Sequence, residues 1–524
     1  MAERRRVGAV TYRDAAEGYF EKRQLRRHAG VWSLWALGVA AVISGDFFGW
    51  NFGLAYGFGG LLIATIVVTV MYFGLCFSIA EMSPALPHTG GAYSFSRSAM
   101  GPWGGFTTGV AETIEYVITP AVIVVGIGSY MSSISDDLFG FDMPDPLWWI
   151  VFYAIFVGLN VVGVEASFRF TVFICVVSLV VLLVFFIGAI PHLDFTRLAI
   201  DEGGGWLPDG ISGIFFALPF AIWFYLAIEE LPLAAEESAD PQRDIPRGTM
   251  WGLVTLVCTG FLVLFLNSGI EPGAGVLAES GEPLLEGLRT IFGGGTSASL
   301  LGLIAVAGLV ASFHTIIFAY GRNIFSLSRA GYYPHPLSVT HGTRQTPYVA
   351  LLAGAVIGWV AAYIIYEFGD AIVGASLLYM AVFGAVISYF MQALAFVLLR
   401  RRLPHIERPY RSPVGEWGAL VAAAIALVTL IAIFWNSEYR PGVYGVALFY
   451  LVAVLYFAIA GRHRLVLSPE EEFAVDRGQL TPGGMADRAA HLEGGLEPQM
   501  DEAPRSEAAP PEGRPPGGRD EPGP

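Results

Sequence analysis

Val39-Ala40-Ala41-Val42-Ile43-Ser44-Gly45-Asp46-Phe47-Phe48-Gly49-Trp50-Asn51-Phe52-Gly53 interrupts an apolar run otherwise fit to cross a membrane. A span needs roughly 20 apolar residues for about 30 Å of hydrocarbon. Runs near that length recur at 31–56, 58–80, 104–132, 147–163, 170–190, 211–231, 248–270, 298–321, 347–366, 371–399, 417–435 and 443–461, which predicts twelve spans. In the first, Ser44, Gly45, Asp46, Gly49 and Gly53 put poor helix formers and a carboxylate at membrane depth. An acid there is expensive unless it faces a cavity or a partner, which makes the interruption a functional feature by default. The sixth run carries a subtler break, Pro219 followed by Trp223-Phe224-Tyr225 and then Glu229-Glu230. Interrupted helices at corresponding places in two five-helix halves expose unpaired N–H and C=O groups near the midplane, the best sequence pointer to the substrate site of a secondary transporter.

Working outward, the composition agrees. The chain has 524 residues, 54% apolar and 14% charged, whereas soluble domains average about 25% charged. The net charge of -15 argues against nucleic-acid partners and against anionic-lipid binding through bulk charge. Cys76, Cys175 and Cys258 all lie in apolar runs, so neither a disulfide framework nor a metal site is indicated. No phosphate loop, metal-ligand spacing or nucleophile elbow is found, which excludes an enzyme reading and ATP driving. No cofactor is expected, and the energy should come from a proton or sodium gradient or from exchange.

Three regions follow: a cytoplasmic N-terminal arm over 1–29 without a cleavable signal, a transmembrane transporter domain over 30–461, and a Pro-, Gly- and Glu-rich acidic tail over 462–524, expected to be disordered. Basic residues, among them Arg97, Arg243, Arg247, Arg322, Arg329 and Arg400, gather in alternate loops, leaving only Arg197, Arg289 and Arg440 in the others. That asymmetry places both termini in the cytoplasm of a multi-pass plasma-membrane protein. Acidic residues such as Asp136, Asp137, Asp145, Glu279, Glu282 and Glu286 gather on the outer side, where they would attract a cation.

Further motifs carry a likeness. Ala80-Glu81-Met82, Pro84, Pro87, Gly90-Gly91-Ala92-Tyr93, Gly101-Pro102, Ala235-Glu236-Glu237, Asp240-Pro241, Ile245-Pro246-Arg247, Ser328-Arg329-Ala330-Gly331 and Arg408-Pro409-Tyr410 resemble the signatures of the amino acid–polyamine–organocation permeases over roughly 30–411. The resemblance implies an all-α membrane fold of the leucine-transporter type, a five-plus-five inverted repeat with two extra helices. Within that family the chain is most similar to ethanolamine permeases, on Ile43-Ser44-Gly45-Asp46-Phe47, Gly49 to Leu54, Ile114-Glu115-Tyr116, Trp223 to Glu229 and Ser312-Phe313-His314. Amino acid members present glycine where Asp46 stands. A fixed carboxylate repels a substrate carboxylate at short range, so the expected ligand is a small organic cation such as ethanolamine. A cationic amino acid or polyamine permease is the alternative, and a ligand-binding sensor the second.

The expected substrate site is Ser44, Gly45, Asp46, Phe47, Glu115, Trp223, Phe224 and Tyr225. Asp46 pairs with the ammonium, Ser44 or the backbone bonds the hydroxyl, and the three aromatics supply a cation–π wall. Glu115, about 16 Å along its span from Gly104, either pairs with the ammonium or carries the coupling proton. Glu112 reads as structural, and Glu229 and Glu230 as solvated or gating residues at or beyond the inner helix end. Ser178 stands where the resemblance puts a lysine in proton-driven relatives. Ser312 and Thr315 are candidate sodium ligands, and His314 is either a titrating group or a packing histidine. No metal site is firmly assigned, and the oligomeric state is left open.

Overall fold

The structure is a computed structural model that describes residues 4–7, 10–13, 29–86, 90–141, 143–293, 296–368, 372–404 and 406–466. The acidic tail from 467 onward and residues 14–28 of the arm lie outside these residues.

In hydrocarbon a backbone must satisfy its own hydrogen bonds, and apolar runs of this length do so as helices. The chain forms α1 (Val31–Val42), α2 (Ser44–Phe47), α3 (Phe58–Ala85), α4 (Gly91–Phe139), α5 (Asp145–Val162) and α6 (Val164–Ala189). Then come α7 (Gly210–Ile222), α8 (Pro241–Ser268), the short α9 (Ala274–Leu277) and α10 (Pro283–Phe292), α11 (Thr296–Arg329), α12 (Tyr348–Phe368), α13 (Val373–Arg402), α14 (Gly415–Trp435) and α15 (Arg440–Ile459). Ten helices among the described residues are long and apolar enough to cross a membrane. The first segment is instead a bent pair, Val31–Phe47 and Trp50–Tyr56, with 44° between its halves. The sixth is the 13-residue α7, continued across a break by the 3-10 segment Ile228–Glu237. The chain is therefore an all-α membrane protein, and the first and sixth segments are the broken ones.

Burial divides the helices into a centre and a rim. α4, α11 and α13 are mostly enclosed, with α11 and α13 both packed on α4, whereas α5, α6, α12, α14 and α15 turn Val, Ile, Leu and Phe side chains outward. Such an apolar exterior suits lipid and not water. The 49-residue α4 is about 74 Å long, too long for one crossing. It is divided at Gly101, next to Pro102, into a surface piece and a crossing piece.

The first and last described segments meet on one face. There β1 (Arg4–Val7) and β2 (Val10–Arg13) form an antiparallel hairpin, and β3 (Leu465–Val466), just after the last helix, pairs parallel with β2. Residues 465–466, at the start of the tail expected to be disordered, thus join residues 4–7 and 10–13 of the arm in a small sheet. Val466 N–H donates to the Ala330 carbonyl, which ties that sheet to the end of α11. We call this the terminal face.

On the same side, Glu81 explains the Ala-Glu-Met motif. It is 1% exposed and accepts from Arg400 at 2.9 and 2.6 Å, from the Ser412 N–H at 2.7 Å and from Arg408 at 3.1 Å, clamping the α13–α14 connection onto α3. Removing one member of a buried charge group leaves the others uncompensated, at a cost of about 3 kcal/mol or more. Glu81→Ala should therefore lower the thermal unfolding temperature in detergent clearly; an unchanged melting curve would show that the clamp contributes nothing.

Candidate functional site

The first break is made by a side chain from another helix. Between α1 and α2 the Ser312 hydroxyl of α11 donates to the Ala40 carbonyl at 2.6 Å and accepts the Ser44 N–H at 2.8 Å. It occupies the place of the direct Ser44-to-Ala40 bond, an insertion of the kind that bends helices. The helix nevertheless continues through Gly45 and Asp46 to Phe47. The chain turns only at Phe48, which is extended, and at Gly49, with φ 96°, where a side chain would be strained. The hinge thus lies at 48–49, inside the 44–53 interruption read from the sequence, and the inserted hydroxyl keeps the backbone bonded through the first part of that stretch.

The second break falls at Trp223–Ala227, after α7 and past Pro219, which stays helical. Ala227 has φ 83°. The two breaks face each other. The Trp223 indole donates to the Phe48 carbonyl at 2.8 Å. A Cβ added to Gly45 would meet the Trp223 carbonyl oxygen at 2.5 Å, so only glycine allows this backbone approach. Phe224 stacks on Trp50, with centroids 5.6 Å apart, and the Tyr225 hydroxyl bonds Thr69 at 2.8 Å. Ser44, Gly45, Asp46, Phe47, Trp223, Phe224 and Tyr225 are therefore brought together. Trp223, however, holds one break against the other with its indole, and Phe224 has one ring contact already made.

Asp46 sits in the last turn of α2, 1% exposed, with no hydrogen-bond partner on either carboxylate oxygen. Thr259 of α8 is within reach but gives its hydroxyl hydrogen to Leu256 at 3.3 Å. Gly260 packs close beside it: a Cβ there would lie 3.7 Å from Asp46 Oδ1 and only 3.1 Å from Phe224. On the mildest insertion scale an acid at this depth costs roughly 3 kcal/mol. The arrangement offers an anionic acceptor, backbone dipoles and aromatic faces to a small ligand.

Glu115 lies elsewhere. It is buried on α4, accepts from the Tyr389 hydroxyl at 3.0 Å and makes a carboxyl–carboxyl contact with Glu229. Glu229 and Glu230 are 4% and 1% exposed, contrary to the expectation that they are solvated. The positive-φ turn at Ala227 returns the chain into the bundle, so the 3-10 segment that carries them stays enclosed. Glu112 accepts from Asn323 at 3.3 Å, a structural contact.

Of the candidate coupling residues, Ser312, His314 and Thr315 share one turn of α11, whereas Ser178 lies on α6 and Glu115 on α4. Ser178 and Thr315 donate to the carbonyls of Ile174 and Ala311 in their own helices. His314 is fully enclosed, with ring nitrogens 3.0 Å from Asn160 and 2.9 Å from Ser167 and with Phe156 and Phe170 alongside. That is the packing histidine of the two readings.

Two residues that sequence reasoning missed secure the first break near its hinge. The Tyr130 hydroxyl donates to the Phe47 carbonyl at 2.8 Å and accepts the Leu284 N–H. The Asn51 amide donates to the carbonyls of Leu277 and Ser280. On the face opposite the termini, Arg289 binds Asp137, Glu282 and Glu286, and Arg197 binds Asp194, Glu202 and Glu271. Two arginines thus contact six of the acids on that face. Burial pushes the Glu282 carboxyl above its ordinary range, and Arg289 partly reverses this.

Comparison with known proteins follows the same geometry. The family described as amino acid permease matches residues 34–465. An uncharacterized transporter of Rhizobium meliloti is 29% identical, covering 83% of this chain and 92% of its own. The methylthioribose transporter of Bacillus subtilis is 24% identical (85% and 96%), and the D-serine/D-alanine/glycine transporter of Escherichia coli 22% (86% and 96%).

The interlock of the two breaks gives a direct test. Gly45→Ala must part the α2 and Trp223 backbones, an overpacking cost of about 2 kcal/mol, whereas Trp223→Phe removes one hydrogen bond worth about 1 kcal/mol. Thermal unfolding should rank Gly45→Ala below Trp223→Phe, and both below the parent; equal stability of all three would refute the interlock.

Proposed function

Because the chain belongs to the amino acid permease family, whose members are transporters and not enzymes, we propose that it imports a small organic cation, ethanolamine, across the plasma membrane by alternating access around its two broken helices. Both termini would face the cytoplasm, as the basic loops suggest, and an ion gradient would supply the energy. The relatives named above take methylthioribose or the amino acids D-serine, D-alanine and glycine, so family membership leaves the ligand to the site.

The observation that carries this reading is Asp46. A buried carboxylate without a donor needs either a cation or a proton beside it. Substrates with a carboxylate would set two like charges close together in a low dielectric. Protonated ethanolamine brings an ammonium for Asp46 and a hydroxyl for the backbone groups that the breaks expose. Phe224 and Tyr225 add aromatic surface next to the ammonium. The two half-helices meet at Gly45 and Trp223, so small rotations about Gly49 and Ala227 would open the site to one side or the other.

The test is uptake of labelled ethanolamine into proteoliposomes. Asp46→Asn keeps the shape and removes the charge, and losing one partner of a buried ion pair costs about 3 kcal/mol, so uptake should fall roughly a hundredfold. Undiminished uptake by the variant would sink the role of Asp46, and stronger competition by arginine or putrescine than by ethanolamine would move the substrate to the cationic amino acids or polyamines.

A further inference from the structure

Between the breaks and the terminal face the bundle encloses four glutamates that the substrate site does not use. Glu112 and Glu115 come from α4, Glu229 and Glu230 from the 3-10 segment Ile228–Glu237, and none is more than 4% exposed. The spacing of Glu112, Glu115 and Tyr116 puts all three on one face of α4. A single fixed cation approaches them among the described residues: Arg322 of α11, whose Nη2 is held by Glu237 at 2.9 Å. Its Nε and Nη1 have no hydrogen-bond partner, and neither does either oxygen of Glu230, which lies within its electrostatic reach. One arginine already paired with Glu237 does not neutralise four further acids.

Two contacts indicate what balances the charge. Glu115 and Glu229 meet carboxyl to carboxyl at hydrogen-bonding range. Ionised carboxylates only accept, so such a contact requires a proton between them. From Glu115 a chain of hydroxyls leads back to the second break. Tyr389 donates to Glu115 at 3.0 Å and is 3.0 Å from Tyr72, whose ring lies 5.3 Å from that of Tyr225, next to Asp46. The remaining oxygens, Glu115 Oε2, Glu229 Oε2 and both of Glu230, are buried without donors. No group of three or more acidic, histidine or cysteine side chains among the described residues converges as a metal site would. Glu115 and Glu229 are in contact and Glu230 lies within electrostatic reach of Glu229, a row that suits a mobile proton better than a coordinated metal ion.

We propose that Glu115, Glu229 and Glu230 form a proton relay, fed through Tyr72 and Tyr389, that couples substrate movement to a proton gradient. This rests on the transport reading above. A proton arriving at Glu115 converts the shared pair to one that releases its other proton from Glu229 to the Glu230 carboxylate. Glu230 then passes it toward the terminal face beside Arg322 and Glu237. Only O–H bonds form and break, and one proton leaves for each that enters. The groups facing the relay are Tyr72 and Cys76 from α3, Glu112 and Tyr116 from α4, Tyr389 from α13, Arg322 from α11 and Glu237 from its own segment. Tyr116 donates to Glu229 at 3.4 Å and so holds the middle member in place.

The experiment uses the full chain in two preparations. In proteoliposomes with a trapped pH dye, ethanolamine addition should acidify the lumen for the parent protein. Glu230→Gln should lose that signal and the proton-driven accumulation while retaining ethanolamine counterflow. Proton-coupled accumulation equal to the parent's in Glu230→Gln would overturn the relay. On the purified protein at neutral pH, infrared difference spectra between the parent and Glu115→Gln should show a protonated-carboxyl band that the variant loses. Its absence from the parent would overturn the proposal whatever the substrate. Failure of ethanolamine counterflow in the parent would instead sink the substrate reading and leave the infrared result to decide the relay. Each substitution removes an uncompensated buried acid, so the variants are expected to fold.

Discussion

A helix that stops inside hydrocarbon leaves backbone groups that water cannot satisfy, and the whole arrangement depends on how two such stops satisfy each other. Here the Trp223 indole closes the Phe48 carbonyl, Tyr130 closes the Phe47 carbonyl, and Ser312 stands in for the missing Ser44-to-Ala40 bond. Each donor comes from a different element. The breaks are therefore stable only when α4, α7 and α11 are in place around them. The close contact of Gly45 with the Trp223 backbone is what allows the approach. The same interlock leaves Asp46 buried and without a hydrogen-bond partner on either carboxylate oxygen.

Charge follows the same economy of partners. On the face opposite the termini, acids are gathered around Arg197 and Arg289. At the terminal face Glu81, Glu236 and Glu237 are bound by Arg400, Arg329 and Arg322. Between those layers lie Asp46 and the glutamates of α4 and the 3-10 segment, where arginine is almost absent. The acids just named at the two faces are each held by an arginine. Those in the middle have no fixed counterion to match them, so their counterions must be mobile. On the proposed reading, a substrate ammonium serves Asp46 and protons serve the glutamates.

Much of this was legible in the sequence for a physical reason: an acid or a glycine is conspicuous in an apolar run. Asp46, the broken first and sixth spans, and the Glu112–Glu115 spacing could all be read that way. The bridging of Ala40 and Ser44 could not, because it depends on Ser312, which is more than 260 residues away. The burial of Glu229 and Glu230 was hidden too. Counting apolar residues placed them at a helix end, but the turn at Ala227 changes the direction of the chain and keeps them enclosed. Asn51 and Tyr130 were missed because an asparagine or a tyrosine in a span is ordinary until its partner carbonyl is known. His314 gave the opposite case, a suggestive side chain whose neighbours Asn160 and Ser167 make it a packing residue.

The central claim is that a buried carboxylate selects an ammonium and rejects a carboxylate. Ethanolamine and serine differ by one carboxylate on otherwise matching atoms, so equilibrium binding of the two to the purified protein isolates that term. The account predicts that ethanolamine binds and that serine binds far more weakly or not at all. Serine binding as tightly as ethanolamine, or more tightly, would contradict it.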